Sequence, residues 1–478
     1  MNKLFIRLRL FLLLFLPVLA SCEKEGDPAD PGGDGDTIKT EVRATDYIFD
    51  LTALPEITLR VPLDEWNRFL EYFDQNPKHQ EYVLAHFSFN KNGSVTTVDS
   101  VGIRLRGNTS RRRPEGSRGQ PHRAQNPDWH HAHFGIHFDE YVPLRRFSGT
   151  DRLHLKWFKD DGNYVREIYC YDLFHRFGVW TAPRSSYCRL FIHVEGDPSP
   201  AYFGVYQLLE SVQDQFVTDR INKGFLTDRG FLWKCTWGAD LVYDGSVGNK
   251  MGIESVSLNH AESEEFAYDL KTGQKYLEDA RLRLESFIRN LNQKSGQEFK
   301  QWIESVMDVD LFLRTIAVNV MTGMWDDYWV NQNNYYLYMD VDGKVSFIPF
   351  DYDNTLGTSL LMTNSGTQPV LSWGDPSKRP LVNRILAIPE FKQKYLNYID
   401  ELCDPARDLF DPDKSITRII LWQNRIKPYL SNDTGEDMSI VDRPASWANA
   451  PFYRLLSGNE KGGLDGNANW FRTRKAHR

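Results

Sequence analysis

Cysteine is scarce in this chain, with five in 478 residues, too few for a disulfide-stapled scaffold. Basic charge is not in excess either: 57 Lys and Arg against 65 Asp and Glu leave a formal net charge of −8. That balance argues against a protein that coats nucleic acid through a uniformly basic surface. An apolar run from Leu10 to Leu19 is too short for a transmembrane helix, which needs about 20 residues to cross roughly 30 Å of hydrocarbon. No repeat with a solenoid period recurs. Walker A, Gly-x-Gly-x-x-Gly and Gly-x-Ser-x-Gly patterns are all missing, which removes P-loop enzymes and a Ser-His-Asp hydrolase with a nucleophile elbow. What is present is 41% hydrophobic and 13% aromatic residues, enough chain and apolar surface for a substantial core.

The N-terminus reads as an address. Lys3, Arg7 and Arg9 precede the apolar run, which ends in Leu19-Ala20-Ser21-Cys22. This resembles a bacterial lipoprotein signal, in which small residues admit the peptidase and the cysteine thiol takes a diacylglycerol. The resemblance implies a signal peptide over residues 1–21, lipidation at Cys22 and membrane attachment through that lipid. Residues 22–44 then form a tether, because Glu23 to Asp36 is acidic, rich in Pro and Gly, and lacks large apolar side chains. Acidic residues directly after the cysteine also resemble the surface-export signals of Bacteroidetes lipoproteins. The expected location is the cell envelope, at the outer membrane, facing the periplasm or the surface. In such a compartment Cys170, Cys188, Cys235 and Cys403 form one or two disulfides or stay as buried thiols.

Residues 45–478 read as a mixed α+β body, sheet-rich over about 45–212 and helical over about 213–478, with a cleft between the parts. Alternating or apolar runs predict strands at 57–61, 82–89, 95–105, 133–138, 152–158, 188–194 and 202–209. Helical spacing predicts helices at 63–73, 163–177, 277–291, 309–321 and 381–403. Residues 111–132 are basic and contain Pro and Gly, which predicts a loop. Six of the 12 histidines lie between His122 and His154; no cysteine or carboxylate completes a zinc spacing, so they read as an exposed loop.

The chemistry concentrates in Met324 to Gly357, MWDDYWVNQNNYYLYMDVDGKVSFIPFDYDNTLG. A polar loop with Asp326, Asp327, Asn331 and Asn333 leads into a hairpin that turns at Asp340-Val341-Asp342-Gly343. A hairpin returns its second strand beside its first, so Asp351 and Asp353 land near the polar loop. Carboxylates and amides gathered in this way call for a cation, and all-oxygen donors suit Mg²⁺ or Mn²⁺. Helix, Asp/Asn loop, hairpin and metal Asp also follow the order of protein kinases. Asp326 with Asn331 and Asp327 with Asn333 fit that loop about equally well. Three sets of cations are candidates for phosphate: Lys156, with Glu167 as its partner on the next helix; Arg104 and Arg106 ahead of Gly107; and Lys234. Each taken alone also fits a surface salt bridge.

GIRLRGNTS (Gly102 to Ser110), the block from Arg166 to Val212, GFLWK (Gly230 to Lys234) and the stretch from Asn333 to Gly357 resemble the spore-coat-protein-H (CotH) kinase family. The resemblance runs in order from about residue 50 to about 403. It implies a divergent, atypical protein-kinase-like fold that uses ATP and a divalent metal to phosphorylate proteins, here of the cell envelope. Carried onto matching positions, Asp326 or Asp327 is the loop catalytic carboxylate and Asn331 or Asn333 a metal ligand. Asp351 is the principal metal aspartate and Asp353 supports it. Lys156, Arg106 and Lys234 are phosphate-side cations, and Glu210 in YQLLE orders the site. Two alternatives stand beside this reading: transfer of AMP in place of phosphate, and a non-catalytic lipoprotein that binds a glycan or protein partner.

Overall fold

The computed structural model describes residues 44–430 apart from Asn126, Asn222 and Thr363, together with Ile440 and residues 469–478. The signal segment, Cys22 and the tether up to residue 43 lie outside the described residues.

Seven strands are built from the first half: β1 (Glu56–Val61), β2 (Val83–Lys91), β3 (Ser94–Leu105), β4 (Phe134–His137), β5 (Arg152–Lys156), β6 (Ser185–Val194) and β7 (Ala201–Glu210). They close into a barrel in the order β1-β2-β3-β4-β5-β7-β6. The seam is a parallel pairing of β1 with β6, running from Glu56 opposite Arg189 to Val61 opposite Val194. Alternation explains which face closes inward. Along β2, Val83, Ala85, Phe87 and Phe89 are buried while their neighbours are half-exposed, the period-2 pattern of a strand with one wet face. Helix α1 (Leu63–Gln75) turns Trp66, Phe69 and Leu70 toward the same core.

Helix α2 (Arg166–Arg176) follows β5, and its start is pinned by a buried aspartate. Asp161 accepts from the N–H groups of Val165 and Arg166, both at 2.7 Å, and pairs with the Arg166 guanidinium at 2.6 Å. A carboxylate satisfying free N–H groups at a helix start is a stabilising cap.

The second half is mostly helical as expected and also holds a five-stranded sheet in the order β12-β11-β8-β10-β9, of which the sequence predicts only the hairpin of β11 and β12. Its strands are β8 (Gly230–Cys235), β9 (Met251–Gly252), β10 (Tyr268–Thr272), β11 (Tyr335–Asp340) and β12 (Val345–Pro349). The remaining helices are α3 (Asp214–Thr218), α4 (Leu277–Gln293), α5 (Gly296–Val306), α6 (Val309–Thr322), α7 (Tyr328–Asn331), α8 (Pro380–Leu386), α9 (Pro389–Leu402), α10 (Pro412–Ile426) and α11 (Trp470–Ala476). Helix α6 is buried on nearly every side. It ends at Gly323, whose φ of 71° suits glycine, and a Cβ there would sit 2.4 Å from the Trp470 ring. No helix among the described residues is long and apolar enough to cross a membrane.

Two other expectations change, and one open alternative is settled. The helix predicted over 381–403 is two, α8 and α9, because Pro389 lacks the N–H that would continue the first and instead opens the second. The four cysteines at 170, 188, 235 and 403 are buried free thiols. The histidine-bearing loop is packed rather than exposed. His131 and His133 are buried, Arg113 pairs with Asp74 at 2.9 Å, and His122 lies between Glu115 at 2.9 Å and Asp197 at 2.8 Å. Acidic partners from elsewhere in the chain neutralise this segment and draw it onto the barrel.

Candidate functional site

Lys156, the last residue of β5, is the hub. Its Nζ lies 2.7 Å from Glu167 Oε2 in the first turn of α2 and 3.0 Å from Asp353 Oδ2, and it also contacts Asp351 Oδ1. Burial opposes the charge on Lys156, but the three carboxylates outweigh it and hold the ammonium well above its ordinary range. Glu167 works with both oxygens: Oε1 accepts the Tyr352 N–H at 3.1 Å. Asp351, just beyond β12, has a φ of 63°, a left-handed conformation costing a non-glycine residue about 1–2 kcal/mol. Its N–H donates to the Tyr171 hydroxyl at 3.0 Å, and that bond with the Tyr352 one holds the bend in place.

Arg106 beyond β3 and Lys234 on β8 complete the surroundings. Both act electrostatically on Asp351. Burial raises the Asp351 carboxyl, and Lys156, Arg106 and Lys234 bring it below its ordinary value. Burial lowers both Arg106 and Lys234. Among the described residues neither side chain makes a hydrogen bond or ion pair. Asp353 is the opposite case: burial and the charges of Asp351 and Glu167 push its carboxyl well up despite Lys156. The cluster therefore combines a surplus of carboxylate with two cations that make no ion pair among the described residues.

The Asp/Asn loop separates its two aspartates. Asp327 is 2% exposed. It caps α7 by accepting from the Val330 N–H at 2.9 Å, and its other oxygen takes the Asn319 amide. Asn319 in turn accepts from the Tyr352 hydroxyl. Burial lifts the Asp327 carboxyl to about 7. Asp326 is less enclosed and faces the amides. Asn331 donates to it at 2.6 Å, Asn333 at 3.1 Å and Asn334 at 3.0 Å. Burial raises its carboxyl, those amides pull it down, and the nearby charge of Asp351 raises it again.

The structure thus gathers Asp326, Asn331, Asn333, Asp351, Asp353, Lys156, Arg106 and Lys234 around one junction between barrel and second sheet. Two sequence candidates stand elsewhere. Arg104 donates to Gln80 at 2.7 Å and lies over the Tyr82 ring. Glu210 is opposite Leu153 on β5, whereas Lys156 is opposite Gln207, so it is displaced by about 10 Å along the strand. Arg184 and Arg220 take its oxygens at 2.6 and 2.8 Å and hold its carboxyl far below the usual range against burial. Sequence reasoning missed Tyr171, Asn319, Asn334 and His133. Only Asn334, beside Asn333, stood in a segment that pointed to them.

Other features lie away from this junction. His137, Asp139 and Asp151 bring metal-ligating atoms within 4.8 Å of one another at the other end of β4 and β5. There His137 already bridges Asp139 at 2.7 Å and Glu140, and Arg146 pairs with Asp139 at 2.8 Å, so these groups already have partners. A cavity of about 320 Å³ lined by Trp180, Leu226, Met307, Phe312 and Phe347 contains none of the cluster residues.

A closed barrel joined to a helix-covered sheet, with a lysine-centred acidic cluster where they meet, defines a mixed α+β protein with a polar site at the junction. The family model described as CotH kinase protein matches residues 103–452, and the chain belongs to that family. It is 27% identical over 315 residues to Invasin CotH3 of Rhizopus delemar, covering 62% of this chain and 47% of that protein. It is 26% identical over 298 residues to the inner spore coat protein H of Bacillus subtilis, covering 62% and 73% respectively. The chain spans about half the length of the Rhizopus invasins it matches.

Proposed function

We propose that this chain transfers a phosphoryl group from ATP, with Mg²⁺ or Mn²⁺, to protein substrates of the cell envelope. In this reading its barrel and its helical part form a kinase-like fold with the nucleotide in the cleft between them. The observation that carries the proposal is the open charge balance at the junction. Arg106 and Lys234 make no ion pair among the described residues, although Asp351 and Glu167 act on the first and Glu254 and Asp269 on the second, and two cations left in this way favour an anion. Asp353 and Asp326 are crowded by negative charge, which favours a cation. A nucleotide phosphate with a divalent metal answers both needs.

The donor set fits such a metal, because Asp351, Asp353, Asn331 and Asn333 offer oxygens and no sulfur or imidazole. Asp351 is its principal ligand, Asp353 supports it, and the two asparagines supply further oxygens. When bound, the ion neutralises charge on the transferring phosphoryl group. Lys156, oriented by Glu167, and Arg106 with Lys234 hold phosphate oxygens. Asp326 receives the proton of the attacking hydroxyl, since Asp327 is spent on capping α7. Glu210 and Arg104 support the frame. Lipidation at Cys22 and the tether over residues 22–44 hold the enzyme at the outer membrane, with nucleic acid playing no part.

The test is intact mass after incubation with ATP and Mg²⁺ or Mn²⁺. A gain of one phosphate per event, absent in Asp351→Ala, is the expected result. A gain of AMP mass replaces phosphoryl transfer with AMP transfer. No gain, together with no thermal shift that depends on nucleotide, metal and Asp351, overturns the enzyme reading and leaves a binding protein.

A further inference from the structure

His133 lies just before β4 and is 3% exposed. Its Nδ1 accepts the backbone N–H of Trp157 at 2.9 Å, the residue after Lys156. An imidazole nitrogen that accepts carries no proton, so the ring's proton is on Nε2, which is then a donor. Among the described residues Nε2 has no hydrogen-bond partner. Nε2 is therefore available to an acceptor that enters the site, and the Asp351 carboxylate, whose charge acts on the ring, is already engaged by Lys156.

The surroundings show what the donor faces. Burial, Arg106 and Lys156 all disfavour a charge on the ring. The Arg106 N–H donates to the His133 carbonyl at 3.0 Å, so the two residues sit together at the end of the β3–β4 pairing. Gly107 has a φ of 108°, and a side chain there would lie 3.5 Å from His133 Cδ2, the ring carbon bonded to Nε2. The missing side chain lets the turn from Gly107 to Ser110 pack close to the Nε2 side of the ring.

We infer that His133 is a phosphate-binding residue: its Nε2–H donates to an oxygen of the same phosphate group that Arg106 and Lys234 attract. This rests on the phosphotransfer reading above. A neutral donor adds direction without adding charge. Its contribution persists as ionic strength rises, whereas those of Arg106 and Lys234 are screened.

The test is calorimetric titration of the protein with ADP plus Mg²⁺, with inorganic pyrophosphate plus Mg²⁺, and with adenosine. His133→Asn keeps an oxygen where Nδ1 accepts and removes the distal donor. We expect ADP and pyrophosphate to bind about tenfold more weakly, a hydrogen-bond-sized effect. Adenosine affinity and thermal midpoint stay unchanged, and the ADP deficit is the same at low and high salt. His133→Gln, whose amide N–H can reach the Nε2 position, restores most of the affinity. ADP affinity unchanged in a folded His133→Asn, or adenosine affinity falling with it, overturns the inference alone. If His133→Asn does not fold, loss of ADP binding in folded His133→Gln overturns it. Wild-type protein that binds neither ADP nor pyrophosphate overturns this inference and the phosphotransfer reading together.

Discussion

Two buried ion clusters stand on neighbouring strands of the barrel and have opposite character. Around Glu210 the groups answer one another. Arg184 and Arg220 take the carboxylate, and Arg220 spends further N–H groups on the carbonyls of Trp180, Ala182 and Phe216. Around Lys156 one ammonium faces Glu167, Asp351 and Asp353, while Arg106 and Lys234 make no ion pair among the described residues. The first arrangement leaves nothing for a ligand to do. The second leaves groups of both signs available to a ligand that carries both charges. Burial and charge alone do not distinguish a structural cluster from a site; the balance of donors and acceptors does.

The comparison breaks most sharply at Asp326. Asp326→Asn should lower the transfer rate by about 10²–10⁴-fold, the range of a lost general base, with little change in thermal midpoint; a rate assay beside a melting curve checks both. The Glu210 cluster should respond in the reverse way. Arg220→Ala leaves a buried carboxylate short of its partner, which costs about 3–5 kcal/mol, read as a denaturant midpoint shift, while transfer per folded molecule is retained. Arg106→Ala should weaken ATP binding by about tenfold or more, as for a charge-assisted contact, and the deficit should shrink with added salt. Because Arg106 makes no ion pair among the described residues and Lys156 still faces Asp351, its loss should destabilise the fold little.

The smallest effect concerns Asp327. Its folded carboxyl titrates at about 7, above the ordinary 3.8, so the folded state binds the proton more tightly than the unfolded chain. That contribution to stability is complete below the unfolded value and is lost as pH rises through about 7. Asp327→Asn, neutral at every pH, should flatten this decline in denaturant midpoints taken between acid and neutral pH, and should keep its activity.

Much of this frame was legible in the sequence, and its limits have physical causes. A strand ending in Lys156 followed by a helix opening near Glu167 puts the two side by side through local geometry alone. A hairpin likewise returns Asp351 toward the polar loop. The choice between Asp326 and Asp327 was not legible, because it turns on the four-residue α7, too short to leave a periodic pattern. The second sheet joins β8 and β10 to β11, pairing Tyr336 with Lys234 across a distance that alternation within either strand cannot reveal. Glu210 stands in a family motif, but its partners Arg184 and Arg220 come from other elements. The histidine loop looked solvated because its neutralising acids, Asp74 and Asp197, are far away in the chain.

A metal and a phosphate entering the Lys156 cluster together should make its affinity for a divalent ion depend on nucleotide. Titration of the protein with Mn²⁺, followed by electron paramagnetic resonance with and without ATP, tests this most directly. The expected result is one Mn²⁺ site that tightens when ATP is present and disappears in Asp351→Asn, while Arg220→Lys retains it. Mn²⁺ that stays free, or that binds equally well with and without ATP and in Asp351→Asn, would contradict the account.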